Sequence, residues 1–332
     1  MTIKITIIGT GLVGASIGLA LASRQEQFLR TGHDKNPQAA NRAKKMGALD
    51  KVDYNLPSSI EDAAIVILSL PQDQIRETLQ FIASDLKEDA VIMDTAPFKG
   101  KVSQWMAELL PPQRYYIGLT PVLNPAYLET SFTGVDSARA DLFRNGMMAI
   151  YLPHDLPEEA VKLATDFCQL LGAEHMFIDP LELDSMMTAI HLLPELVAAA
   201  LLNSTVDRAG WRDARKLTGR PFALTTGALP PAGLASSLSS QAMANRDSLL
   251  RNLDILLDNL AVLRSQLETQ EGEQFIAYLE KARLARETWL QDKADANWAA
   301  KEFVSPVEMP TSKQTFSRMF TFGGGRKPKK PK

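Results

Sequence analysis

The chain has 332 residues, enough for two domains with separate cores. Apolar residues make up 45% and charged residues 23%, as in ordinary soluble globular proteins, and a net charge of −3 gives no global attraction to nucleic acid or anionic membrane. The single cysteine, Cys168, excludes an internal disulfide framework and fits a reducing cytoplasm, where it reads as a small buried hydrophobe.

The uncharged run ITIIGTGLVGASIGLALA (5–22) follows only one positive charge, Lys4, and contains four glycines. That fits neither a secretory signal nor a membrane-spanning helix. KITIIG reads as a strand and GASIGLALASR as a helix. FLRTGHD is a second strand, and PQAANRAKKMG is a helix closed by Gly47. AAIVILSLP, AVIMDTAP, YYIGLTP and MMAIYLP are near-continuous apolar runs, the pattern of strands buried on both faces of a parallel sheet. HMFIDP is a last strand candidate near 175–179. Alternating strands and helices imply right-handed crossovers, so residues 1–180 are expected to form an α/β, doubly wound, mainly parallel sheet.

From 181 to 304 the pattern is helical. LELDSMMTAIHLLPELVAAALLNSTVD is one helical stretch. QAMANRDSLLRNLDILLDNLAVLRSQLETQ and GEQFIAYLEKARLARETWLQDK are long amphipathic helices, preceded by a Gly/Pro/Ser-rich loop, TTGALPPAGLASSLSS. Long apolar-faced helices in a small all-α domain point to packing against a second copy, a homodimer. Residues 305–332 lack periodicity and are expected to be a disordered, solvated basic tail. Four histidines without a Cys/His cluster offer no metal-ligand spacing.

The chemistry-bearing signal is Gly9-x-Gly11-x-x-Gly14, directly after a strand and opening a helix. Gly9 allows the tight turn, Gly11 lets backbone approach a pyrophosphate, and Gly14 lets helix and strand pack closely. Thr10, Leu12 and Val13 complete the turn, whose helix N-terminus suits phosphate. Asp34, twenty residues after Gly14, ends the second strand, where a carboxylate accepts ribose hydroxyls and repels a 2′-phosphate. The expected cofactor is therefore NAD; Lys35, next in sequence, keeps NADP as the alternative. Ser69, Leu70 and Pro71 end the next strand and line the expected cofactor path. Asp94, Thr95 and Lys99, then Thr120, occupy later strand ends, as ligand contacts or as loop caps.

With the GxGxxGxSxG of residues 9–18, GHDKNP, AIVILSLP, the ANRDSLLRN helix and EGEQFIAYLEKARLARETW, the chain resembles the prephenate and arogenate dehydrogenases from residue 3 to about 300. The resemblance implies a Rossmann-type dinucleotide domain, a helical dimerisation domain and a cleft between them for a small carboxylate substrate. It also implies oxidative decarboxylation on the route to tyrosine, in the cytoplasm, without nucleic-acid or membrane partners. The family's Gly-x-His-Pro-Met appears here as GLTPV, with Thr120 where the proton-accepting histidine stands. Its Asp-x-x-Ser-x-Lys appears as DTAPFK, keeping Asp94 and Lys99 but with Pro97 for serine. Its His-Asp appears as Leu183–Asp184, and its Ser-His-Leu-Pro-His as HLLPE, residues 191–195. GWRDARK carries Arg212 and Arg215 as a substrate-carboxylate clamp or as surface charges. On this basis Thr120, His191 and Asp184 are the catalytic positions, and Lys99, Arg212 and Arg215 the substrate-binding ones. Threonine cannot act as a base near neutral pH, so His191 either takes that role or is an ordinary helix histidine. A dehydrogenase for another small carboxylic acid and a non-catalytic NAD-binding dimer are the competing readings.

Overall fold

The computed structural model describes residues 2–130, 134–270 and 272–295. The tail expected to be disordered lies outside these described residues. Eight strands form one sheet: β1 (Ile3–Ile8), β2 (Phe28–His33), β3 (Lys51–Val52), β4 (Ile65–Leu68), β5 (Val91–Asp94), β6 (Tyr115–Pro121), β7 (Met147–Tyr151) and β8 (Glu174–Phe177). Their order is β3-β2-β1-β4-β5-β6-β7-β8. All neighbours are parallel except β6 and β7. The helices α1 (Leu12–Leu21), α2 (Pro37–Lys45), α3 (Leu56–Ile60), α4 (Gln72–Ile82), α5 (Gly100–Leu109) and α6 (Glu158–Leu170) connect them. This is the doubly wound, mainly parallel sheet expected from the apolar runs.

The runs lack polar alternation because both sheet faces are covered. Ile65 and Ile67 of β4 enter one core with Ile5, Ile7 and Ile17, while Val66 and Leu68 enter the other with Ile75, Leu79 and Ile82 of α4. The two-residue period of the strand assigns them. In α2, Asn36 is the N-cap, accepting from the Gln38 amide at 3.0 Å, with Pro37 at the first helical position and Gly47 at φ +84° just beyond the end.

The second part holds α7 (Pro180–Met187), a π-helical turn at Thr188–Leu192, α8 (Leu193–Val206), α9 (Trp211–Ala214), α10 (Arg220–Thr226), α11 (Ala235–Ala244), α12 (Arg246–Glu268) and α13 (Gly272–Asp295). Its core joins Leu192, Ala242 and Leu249 to Phe98, which comes from the sheet domain, so the two parts share a core. The expected loop over 225–240 shrinks to 227–234, because α11 already begins at Ala235. Serine-rich composition argues against helix, but Ser237 and Gln241 are buried where α11 packs on α4 and the π turn, and packing overrides propensity. The helix expected to run unbroken from 241 is interrupted at Asn245, whose φ −111° and ψ 24° leave the helical region. The 27-residue stretch Pro180–Val206 is, by length and composition, apolar enough to cross a membrane, with hydropathy 1.6. Thr188, Leu192 and Ala198 within it are nevertheless fully buried in the protein.

One buried cation organises the β1–β2 edge. Arg30 of β2 is 1% exposed; its Nη1 donates to the Gly18 and Gly47 carbonyls at 2.8 and 2.9 Å, and its Nη2 donates to Asp50 Oδ1 at 2.6 Å. It thereby ties the ends of α1 and α2 to the sheet. Burial pushes the Asp50 carboxyl up, but the Arg30 bonds outweigh it and leave its pKa below the ordinary value. The folded state therefore gains stability from Asp50 above the unfolded carboxyl pKa, near 4, and loses it as pH falls through the lower folded value. Asp50→Ala strands a buried guanidinium and is expected to cost about 3 kcal/mol in urea unfolding at pH 7, with the gap to wild type narrowing in acid.

Candidate active site

The glycine turn is built by close approach. Gly9 has φ +89°, and a Cβ there would stand 2.2 Å from the Ser69 carbonyl oxygen. The turn therefore lies directly on the end of β4. A Cβ on Gly14 would meet the Gly9 carbonyl oxygen at 2.0 Å, so α1 presses onto the turn. A Cβ on Gly11 would meet nothing within 4 Å, and α1 has no side-chain cap. The first turn of α1, Leu12-Val13-Gly14, thus faces open space with its amides available to an anion. The buried Thr10 donates its amide (2.7 Å) and hydroxyl (3.0 Å) to Asp34 Oδ2, and Asn36 donates its amide to Asp34 Oδ1 at 2.8 Å. Three of the roughly four acceptor directions of the carboxylate are filled, which orients it beside the turn and leaves room for a hydroxyl donor. These features fit a dinucleotide, with pyrophosphate at Gly11 and ribose at Asp34. Lys35 is exposed and donates to Gln74 Oε1 of α4 at 3.0 Å. Ser69 and Thr95 bridge the ends of β4 and β5 through their hydroxyls at 3.3 Å. Leu70 rests against the glycine turn and Pro71 caps α4.

The loop after β5 differs from its expected part. Asp94 and Lys99 are both fully buried. Lys99 Nζ donates to Asp94 Oδ1 at 2.6 Å and to the Ala96 carbonyl at 2.7 Å, and the Tyr116 hydroxyl donates to Asp94 Oδ2 at 2.7 Å. Burial lowers the Lys99 pKa against the pull of Asp94, and burial with Asp94 raises Tyr116 well above its ordinary value. Cofactor contact for Asp94 and substrate contact for Lys99 are therefore replaced by a closed ion pair, because neither charge reaches a free surface. Thr120 is 3% exposed and donates its hydroxyl to the Ala96 carbonyl at 3.0 Å. It braces the same loop and is no base.

Asp184, expected to be catalytic, holds the two domains together. Its Oδ1 accepts the Lys99 amide at 2.6 Å and its Oδ2 the Gly100 amide at 2.9 Å, so a carboxylate of α7 caps the N-terminus of α5. Burial raises its pKa against those two bonds. Arg212 and Arg215 are exposed, and among the described residues neither bonds to the glycine turn or the β5 loop; Arg215 Nε donates to the Arg212 carbonyl at 3.3 Å.

His191 sits in the π turn. Pro194 has no amide hydrogen for the Ile190 carbonyl and its ring crowds that carbonyl, so the helix widens just before it. The Leu193 amide bonds instead to the Thr188 carbonyl. The His191 ring lies 6.3 Å from Phe98 of the β5 loop, with its Nε2 3.8 Å from Glu195 Oε1. Burial lowers the His191 pKa and pushes Glu195 up to about 7. Glu195, one helical turn beyond His191, was legible as a neighbour; Tyr116 and Phe98 carried no motif that would have singled them out.

Residues 17–177 match the family model described as "Prephenate dehydrogenase, nucleotide-binding domain". Residues 17–177 thus match the nucleotide-binding domain of the prephenate dehydrogenases, and curated proteins of that kind extend the likeness over most of the chain. A prephenate dehydrogenase of Bacillus subtilis is 24% identical over 292 residues, covering 84% of this chain and 74% of that protein. A cyclohexadienyl dehydrogenase of Zymomonas mobilis is 23% identical, covering 86% and 96%. In fold, the chain is similar to prephenate dehydrogenase of A. aeolicus in complex with hydroxyphenyl propionate and NAD+ (TM-score 0.74, 20% identity, 87% of this chain and 98% of that one). The matches place the chain among the dehydrogenases with such a nucleotide-binding domain. Of the positions expected to act, Asp94 and Lys99 pair with each other, Asp184 caps α5 and Thr120 bonds to the Ala96 carbonyl.

Removing the Asp184 carboxylate leaves two amides at the α5 terminus uncapped. Asp184→Ala is expected to lower unfolding stability by about 1–2 kcal/mol, read as an earlier urea midpoint. An unchanged midpoint would remove the cap from the domain junction.

Proposed function

We propose that the chain catalyses the NAD-dependent oxidative decarboxylation of prephenate or arogenate. The observation that carries the reading is the open space at Gly11 beside an oriented Asp34, on a family nucleotide domain whose β5 loop meets the helical domain at Phe98. The relatives act, by name, on prephenate, cyclohexadienyl and arogenate substrates, and the fold likeness to them supports the same substrate class. NAD, when bound, supplies the hydride acceptor. The amides of the Gly9–Gly14 turn would hold its pyrophosphate and Asp34 its adenosine ribose, with Ser69, Leu70, Pro71 and Thr95 beside them at the ends of β4 and β5. The buried Asp94–Lys99 pair keeps that loop rigid and, with Phe98, excludes water from the substrate side.

Thr120 in place of a histidine favours a second reading, a different small carboxylic acid as substrate. The deciding experiment follows NADH absorbance with prephenate, arogenate and a panel of hydroxy acids. NADH formation with either of the first two supports the proposal, and turnover confined to a hydroxy acid replaces it. In the same assay Asp34→Ala should weaken NAD and cut the preference over NADP by about tenfold or more, since one lost hydrogen bond to a charged group is worth about 1.5–3 kcal/mol. An unchanged preference would take Asp34 out of the site.

We further propose that the chain forms a homodimer through its helical domain. Leu250, Leu257, Leu260 and Leu267 of α12 and Ile276 and Leu279 of α13 are all at least 44% exposed, an apolar extent unusual for a lone surface. A Leu257→Glu variant is expected to sediment as a monomer while the wild type sediments as a dimer; a wild-type monomer would end the proposal.

A further inference from the structure

Thr120 leaves the reaction without a proton acceptor, since its hydroxyl already donates to the Ala96 carbonyl at 3.0 Å. We infer that His191, presented by the π turn and backed by Glu195, is the catalytic residue that takes the proton from the substrate hydroxyl. The inference rests on the dehydrogenase reading above and moves the base from the end of β6 to the π turn packed beside Phe98 of the β5 loop.

Three observations place it there. The π turn spans Thr188–Leu192, just before Pro194, and so carries His191 in a local widening of the helix, a feature frequent at functional sites. Asp184 registers that turn to the sheet domain: its carboxylate caps the Lys99 and Gly100 amides, and its own carbonyl accepts the Thr188 hydroxyl at 2.7 Å. The His191 ring consequently stands 6.3 Å from Phe98, two residues along from the Ala96 carbonyl that holds Thr120. The side chain is 41% exposed, so a substrate can reach it, whereas Glu195 behind it is 15% exposed. Burial lowers the imidazole pKa, the direction that favours the proton-accepting form, and pushes Glu195 up to about 7.

The step balances without a further reactant. As hydride leaves the carbinol carbon for the oxidised cofactor, the O–H proton passes to the His191 imidazole and the C–O bond becomes a carbonyl. The ring carboxylate then departs as CO2, and the electron pair of the broken C–C bond runs through the ring to that oxygen. The oxygen recovers the proton from the imidazolium and leaves as a phenol. Glu195, 3.8 Å from Nε2, is a positioning residue that balances the imidazolium while it lasts.

The test compares variants of the full chain. His191→Ala should lower kcat/KM about 10²–10⁴-fold, leave NAD binding by calorimetry within about twofold, and recover at least about tenfold when free imidazole is added. Glu195→Gln should lower kcat about tenfold with KM within about twofold, a split that general loosening of the helix would not give. In the NAD-loaded wild type, 4-hydroxyphenylpropionate should shift the His191 ring resonance, assigned by its loss in His191→Gln. Activity of His191→Ala within about threefold of wild type, a loss that imidazole does not restore, or an unmoved resonance each overturns the inference. A wild type that oxidises neither prephenate nor arogenate sinks the substrate assignment instead, and the resonance still decides His191.

Discussion

The arrangement depends most on a carboxylate that caps a helix across a domain boundary. Asp184 belongs to α7 but satisfies the amides of Lys99 and Gly100 at the start of α5. A helix N-terminus is where backbone donors lack partners and where negative charge is favoured. Filling it from the other domain fixes the angle at which the helical part meets the sheet. Phe98, one residue before the capped amides, is buried among Leu192, Ala242 and Leu249, so polar cap and shared core act at one point.

Around it, charge has been spent on rigidity. Asp94, Lys99 and Tyr116 form a buried network in which both charges are fully enclosed. Such a pair tolerates no unpaired member, since an uncompensated buried charge is expensive. Thr120 adds a fourth tie to the same loop through the Ala96 carbonyl. The end of β6 is here a packed structural surface, with Thr120 3% exposed.

The sheet and cofactor half were readable from the chain because their determinants are local. Unbroken apolar runs specify strands buried on both faces, and the glycine spacing specifies a turn that must approach β4 and α1 closely. Asp34 follows β2 by one residue, so strand geometry alone carries it to the turn. The match was poorer where role depends on which neighbour arrives from far along the chain. Lys99 and Asp94 read as ligand contacts because Tyr116, twenty-two residues beyond Asp94, cannot be seen as their partner in advance. Asp184 read as catalytic because the amides it caps are eighty-five and eighty-four residues away. The segment from Ala235 read as a loop because its serines are poor helix formers, and only the surfaces of α4 and the π turn make the helix worthwhile.

By itself the sequence determined the doubly wound sheet, the dinucleotide turn with its acidic partner and the helical second domain. Each follows from periodicity or from spacing within about thirty residues, where covalent geometry limits the options. Only the tertiary structure decided which polar residues are architecture and which face the cleft. It buried Asp94 and Lys99, turned Asp184 into a cap, and stood His191 on a π turn opposite Phe98. Burial and long-range pairing set a side chain's solvation and partners, and those decide whether a carboxylate, an amine or an imidazole stabilises the fold or does chemistry.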